Sequence, residues 1–144
     1  MANTFQNWNQ NIIEEFRANG GYVTAGGFGR NLVLVHHTGA KSGIERITPL
    51  MGMRDGDDTW IIAASKAGSP DNPDWYYNLV ANPDTVIEVP EEGELPVRVE
   101  VLEGPARDAI WARFKTTNPG FQNYETMTTR TIPVLALRRR TTHS

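Results

Sequence analysis

The run Leu32-Val33-Leu34-Val35-His36-His37 and the next β-prone run, Arg46 to Met53, are separated by little more than the turn Thr38-Gly39-Ala40-Lys41-Ser42-Gly43. Parallel neighbours need a crossover of about a dozen residues or more, so a link this short returns the chain antiparallel to itself. The same economy recurs downstream. Asp55-Gly56-Asp57-Asp58 turns the chain into a third strand, Thr59 to Ala64, and further strands are expected at Thr85 to Val89, Pro96 to Leu102 and Thr131 to Leu137. Val97, Val99 and Val101 alternate with Arg98 and Glu100, the pattern of a strand with one buried and one wet face. About six such strands with short links, and helices added at the start, middle and end, predict an α+β antiparallel barrel or sheet rather than a doubly wound fold.

The helices have their own punctuation. Thr4 can cap a helix in which Phe5, Trp8, Ile12, Ile13 and Phe16 form an apolar stripe, ending near Asn19-Gly20-Gly21. Its polar face is rich in asparagine and glutamine rather than the lysine and arginine that bind anionic lipid, so packing on its own barrel is expected over membrane attachment. Asn72 is the expected N-cap of a second helix with Pro73 in first helical position, and Asn82-Pro83 ends it. Gly104-Pro105 opens a helix with Ile110, Trp111 and Phe114, and Pro119-Gly120 opens a shorter one.

A chain of 144 residues suits one domain, spanning 1–144, with residues 138–144 read as a basic tail. The net charge of −3 argues against nucleic acid, the absence of cysteine removes thiolate chemistry, and no apolar stretch approaches the roughly 18 residues of a membrane span. The expectation is a cytoplasmic protein, at most peripheral at the inner membrane face, and a monomer or weak homodimer.

Against this acidic background the cations are concentrated. Two of the three lysines, Lys41 and Lys66, sit in glycine-containing strand-end loops, which read as an anion cradle. The first loop lacks the Walker spacing and joins strand to strand. Arg46, Thr48 and Leu50 share one face of their strand and could line a cavity beneath the turn, while Pro49 marks an edge or bulge. Trp75, Tyr76, Tyr77, Phe121 and Tyr124 could wall a planar ligand whose charged tail these cations hold. His36 and His37 alternate sides of a strand and cannot both bind one metal, so no metal is expected. Ser65 lacks the G-x-S-x-G elbow that would make it a hydrolase nucleophile.

Thr38 to Gly43 with Arg46 and Thr48-Pro49-Leu50, Ala63-Ala64-Ser65-Lys66, Asn72-Pro73-Asp74-Trp75-Tyr76-Tyr77-Asn78-Leu79, Ala81-Asn82-Pro83, Tyr124 and Thr129-Arg130-Thr131-Ile132-Pro133 occur in an order and spacing that closely resemble the deazaflavin-dependent nitroreductase and quinone reductase family. The resemblance spans about residues 30 to 137 and implies a split β-barrel that binds coenzyme F420, an 8-hydroxy-5-deazaflavin with a phosphate and oligoglutamate tail. It implies Lys41, Ser42 and Arg46 at the anionic tail, and Ile47, Thr48, Pro49, Leu50 and Met51 with Ala63, Ala64, Ser65 and Lys66 along the ring and ribityl chain. Asp74, Trp75, Tyr76, Tyr77 and Asn78 stand beside them. Substrate is expected near Tyr76, Phe121 and Tyr124, with Ser65, Tyr76, Tyr124 or water as proton source. Ala40 stands where members often carry a second basic residue, and Phe121 where some nitroimidazole-reducing members have tyrosine. The implied reaction is hydride transfer from the reduced deazaflavin to a quinone or nitroaromatic acceptor. An FMN-binding split barrel and a non-catalytic deazaflavin carrier are the alternatives.

Overall fold

The computed structural model describes residues 4–24, 29–56, 58–65, 72–117, 119–128 and 131–140, with side chains described from residue 9 onward. Its elements are α1 (Thr4–Ala18), β1 (Leu32–Thr38), β2 (Glu45–Met51), β3 (Met53–Arg54), β4 (Thr59–Ala63), α2 (Asp74–Ala81), β5 (Asp84–Val89), β6 (Gly93–Val101), α3 (Gly104–Thr117), α4 (Gly120–Thr126) and β7 (Val134–Arg139).

All seven strands join one sheet in the order β2-β1-β5-β6-β7-β4-β3, antiparallel throughout. Its two edges, β2 and β3, are consecutive in sequence with only Gly52 between them, so the sheet curls round until one bent strand serves both ends. The continuous strand expected from Arg46 to Met53 therefore breaks at Gly52. A Cβ there would meet the Val33 methyls at 3.2 and 3.3 Å, which favours glycine at the corner. The result is the α+β split barrel that the strand pattern and the resemblance predict.

Alternation sorts the strand residues into an inside and an outside. Val33, Val35, Trp60, Ile62, Val97, Leu135 and Leu137 fill the interior, and α2 inserts Trp75 and Leu79 into the same cluster. On the outer surface α1 lays Ile12, Ile13 and Phe16 over Leu32 and Leu34, and α3 lays Trp111 and Phe114 over Ile61, Val134 and Ala136. The apolar face of α1 beyond Trp8 is thus covered by its own barrel. Its last turn adds an ion pair, with Arg17 Nε and Nη2 donating to the Glu88 carboxylate at 2.9 and 2.7 Å.

Strand ends shift by up to three residues, with β6 starting at Gly93 rather than Pro96 and β7 at Val134 rather than Thr131, and two further boundaries differ in kind. Pro73, in extended geometry, is the N-cap of α2, no side chain caps it, and the helix starts at Asp74. Asn72 is therefore not the cap, because the proline nitrogen needs no partner and Asp74 already places a carboxylate in the first turn. The basic run is not a tail either. β7 runs through Arg138 and Arg139, which pair with Glu100 and with Asp58 and Glu92, and Arg140 donates to the carbonyls of Val97 and Thr85. Among the described residues no helix is long and apolar enough to cross a membrane.

Candidate functional site

One end of the barrel opens into a cleft of about 1180 Å³. The β1–β2 turn supplies Lys41 and Ser42, β2 supplies Arg46, Thr48, Pro49, Leu50 and Met51, and the end of β4 supplies Ala63 and Ser65. Asp74, Trp75, Tyr77 and Asn78 come from α2, and Phe121 from α4. Five of the β2 residues lie consecutively or nearly so along the wall, so the strand presents its backbone edge as well as one face.

Charge on this rim is distinctive. Among the described residues Arg17, Arg30, Arg54, Arg98, Arg107, Arg113, Lys115, Arg138, Arg139 and Arg140 each lie within ion-pair distance of a carboxylate. The two described cations that make no such pair are Lys41 and Arg46. Both are exposed, both line the cleft, and together they offer a guanidinium fork and a mobile ammonium for an incoming anion. Lys66, the other lysine of the expected cradle, lies outside the described residues.

The turn uses several of its own amides to hold its shape. Gly39 N–H donates to Ile44 O, Gly43 N–H to Gly39 O, Ile44 N–H to Ser42 Oγ at 3.2 Å and Ala40 N–H to Asn78 Oδ1 at 3.0 Å. Glycines in an anion cradle would turn their backbone N–H groups inward; those of Gly39 and Gly43 are instead engaged within the protein. The side chains of Lys41, Ser42 and Arg46 are the charged and hydroxyl groups this lip offers an anion. A Cβ on Gly39 would meet Ser42 Oγ, so that hydroxyl would have to rotate away from its bond to Ile44 N–H.

Not every expected residue reaches the wall. Ile47 points to the opposite face of β2, against the α1 cluster, since it alternates with Arg46 and Thr48. Ala64 is fully buried in the barrel interior, and Tyr76 packs against that interior while meeting Tyr77 edge to face at 5.2 Å. Tyr124 is one helical step behind Phe121 and touches it edge to face at 5.4 Å; of the two, Phe121 lines the cleft. Of the three expected proton sources Ser65 alone lines it. α4, only seven residues long, is clasped to α3 by Glu125, which accepts hydrogen bonds from Lys115 Nζ at 2.9 Å and from Trp111 Nε1. Lys115 first and Trp111 second hold that carboxyl below the ordinary range.

His37 and Asn9 were not expected at the site. His37 faces inward, 4 % exposed, and its ring nitrogens meet Thr48 Oγ1 at 2.8 Å and Asn78 Nδ2 at 3.0 Å. Its neighbour His36 faces outward to Glu88 at 2.8 Å, so the two do divide between faces as their spacing predicts. The inward parity of His37 was readable from Val33 and Val35; its partner on α2 was not. Asn9 brings α1 to the rim, and a polar residue beside an apolar stripe carried no sign of that.

The residues fit a large anionic planar ligand. The cleft exceeds the roughly 300–1,000 Å³ that suits drug-sized molecules, its floor of Pro49, Leu50, Met51, Ala63 and Trp75 is apolar, and its cations collect at one lip. Comparison with known proteins agrees. Residues 8–139 match the model of the F420H(2)-dependent quinone reductase family. An F420H(2)-dependent quinone reductase of Mycobacterium tuberculosis strain H37Rv is 40% identical over 110 residues, covering 75% of this chain and 73% of that protein. Among solved structures, an F420-H2 dependent reductase superposes with a TM-score of 0.69 at 36% identity, covering 76% of this chain and 95% of the other. A protein described as a domain-swapped dimer superposes with a TM-score of 0.70 at 33% identity, covering 92% and 98%. With the barrel, the cation-lipped cleft and a match over nearly its whole length, this chain belongs to the F420H(2)-dependent quinone reductase family.

Proposed function

We propose that this chain reduces a quinone with reduced coenzyme F420 bound in the barrel-mouth cleft, its anionic tail at Lys41 and Arg46 and its ring over the apolar floor. The observation that carries the assignment of the tail is that, among the twelve described lysines and arginines, these two have no carboxylate partner and the other ten do.

When bound, the deazaflavin supplies a hydride, two electrons and one proton, to a conjugated acceptor. The protein's contribution is then positioning and shielding. Pro49, Leu50, Met51 and Trp75 exclude water from one side of the ring, and Phe121 on α4 offers the apolar surface on which an acceptor ring can stack. Quinone reduction needs a second proton on the acceptor oxygen. Ser65, 6 % exposed and in the wall, can hold that proton and is resupplied from solvent through the cleft. Nitroaromatics share the planar apolar body and enter as weaker substrates. Within this reading the protein works in the cytoplasm, in peripheral contact with a membrane at most, since the apolar residues of α1 beyond Trp8 are occupied by the barrel.

Fluorescence titration of the purified chain with coenzyme F420 and with FMN tests the cofactor. Tighter binding of the deazaflavin, weakened in Lys41→Ala by about 1–3 kcal/mol, is expected. Preference for FMN, or an unchanged dissociation constant in Lys41→Ala, refutes the assignment. Stopped-flow oxidation of the bound reduced coenzyme by menadione separates an enzyme from a carrier.

A further inference from the structure

Four groups at the cleft form a hydrogen-bond chain whose direction is determined at one end. A backbone N–H can only donate, so Ala40 N–H fixes the Asn78 side-chain oxygen as its acceptor at 3.0 Å. The Asn78 amide nitrogen therefore faces His37 Nδ1 at 3.0 Å and donates to it. With Nδ1 accepting, a neutral imidazole carries its hydrogen on Nε2, which donates to Thr48 Oγ1 at 2.8 Å. Thr48 has then accepted, and its own hydrogen is left for the cleft that Thr48 lines. A second tie, Asn82 Nδ2 to Thr38 O at 3.3 Å, fastens the start of the same turn to the end of α2.

Resting on the coenzyme assignment above, we propose that His37 is a positioning residue. As its Nε2–H tautomer it makes Thr48 a hydrogen-bond donor to the bound coenzyme and, through Asn78, latches the turn that carries Lys41. Protonating its second nitrogen releases that turn and loosens the hold on the anionic tail. The chain has no arrangement that tolerates the extra proton. A hydrogen on Nδ1 faces the Asn78 NH₂, and flipping the amide to accept it turns that NH₂ against Ala40 N–H. Either way one bond of the latch is lost: an unflipped amide leaves two donors facing each other at buried His37, which is costly, while a flipped one gives up the solvent-exposed Ala40 bond and frees the turn.

The surroundings bear on the same proton. Burial opposes charging His37 first, Arg46 across the β1–β2 register opposes it next, Asp74 on α2 favours it and His36 opposes it weakly, and together they hold the imidazole below its ordinary range. An anion seated at Arg46 and Lys41 acts through space with Asp74 and favours the charged ring, against the latch; a tail held more weakly at low pH therefore means that the latch outweighs that attraction and that the bound coenzyme lowers the His37 transition further.

The test begins on the free chain. Nitrogen-15 and carbon-13 chemical shifts of the His37 ring near neutral pH should report the Nε2–H tautomer, and Ala40 N–H should exchange slowly with solvent; an Nδ1–H ring or a fast Ala40 amide overturns the latch. Titrations with coenzyme F420 and with the tail-less deazaflavin chromophore then follow from about pH 8 down through the His37 ring transition that the same chemical shifts locate. Because both compounds share the chromophore, its own titration cancels in the ratio of affinities. That ratio should fall progressively as pH drops through the His37 transition, reaching about tenfold once the ring is charged, the worth of one lost charge-assisted contact, and a flat ratio across that transition overturns the proposal. Asn78→Ala should show the low-pH ratio at every pH; a steep wild-type profile in that variant overturns it equally. Should neither compound bind at any pH, the coenzyme assignment falls, while the ring tautomer and the Ala40 exchange rate still decide the latch.

Discussion

Replacing Arg17 by methionine separates two roles of α1. The Glu88 carboxylate is buried, 6 % exposed, and accepts Arg17 Nε at 2.9 Å, Arg17 Nη2 at 2.7 Å and His36 Nε2 at 2.8 Å. Methionine keeps the aliphatic stem over the barrel and deletes two charge-assisted bonds, each worth about 1.5–3 kcal/mol when fully desolvated. The Arg17 side chain is 49% exposed, so water already competes for it and the pair together should contribute about 2 kcal/mol. For a small domain that shifts a urea midpoint by about 1 M. The pH dependence identifies the cause. The Arg17 hydrogen bonds come first in holding Glu88 below its ordinary value of 4.5, with burial opposing and His36 assisting. A depressed folded-state value gives stability that is complete above the unfolded value and is lost as pH falls through the folded one. Urea unfolding followed by circular dichroism near pH 7 and near pH 3.5 should therefore show the wild-type advantage shrinking at the lower pH. An advantage of equal size at both pH values, or one that persists in the Glu88→Gln background, would mean that Arg17 acts through packing alone.

Other perturbations address the cleft. Arg46→Lys should weaken binding of the long-tailed coenzyme by about 1–2 kcal/mol, since an ammonium cannot reproduce the guanidinium fork; titration with wild-type affinity refutes bidentate recognition. Ser65→Ala should lower kcat for menadione more than Tyr124→Phe does, because Ser65 is in the wall and Tyr124 stands behind Phe121; the reverse ranking in stopped-flow rates returns the proton to Tyr124. Glu125→Gln, by loosening α4 from Lys115 and Trp111, should raise the acceptor KM with coenzyme affinity unchanged. Deleting residues 1–18 should lower the thermal midpoint and raise the acceptor KM, because Ile12, Ile13 and Phe16 leave the barrel and Asn9 leaves the rim; binding to liposomes lost with that deletion would instead assign α1 to a membrane.

What could be read in advance was whatever local period and chain reach determine. The stripe Ile12, Ile13, Phe16, the hairpin around Thr38 to Gly43 and the alternation of Val97, Val99 and Val101 each reach the structure in the element expected of them. Arg46 and Thr48 came out on the cleft side because a strand leaves no other choice of parity. The failures depended on partners distant in sequence. Arg138 to Arg140 look like a tail until the pairing of β7 with β6 and with β4 brings Glu100, Glu92 and Asp58 to them. The role of His37 needs Asn78, 41 residues later, and the turn amides look available until Asn78 and Ile44 are seen to engage them. Gly52 reads as an ordinary strand residue unless one knows that β3 must turn away to reach β4.

The bent strand at Gly52 leaves one matter of colloidal behaviour. Among the described residues β2 pairs only with β1, and its other edge lines the cleft, so under the proposed function that edge is bordered by the coenzyme rather than by a strand. An uncovered strand edge is a template on which another chain can add, and Pro49 together with the charges of Glu45 and Arg46 only partly blunts it. The coenzyme would then act as an edge cover as well as a reagent. Chain that has lost it would be the form prone to strand exchange and self-association, most of all at the high concentrations of purification and storage.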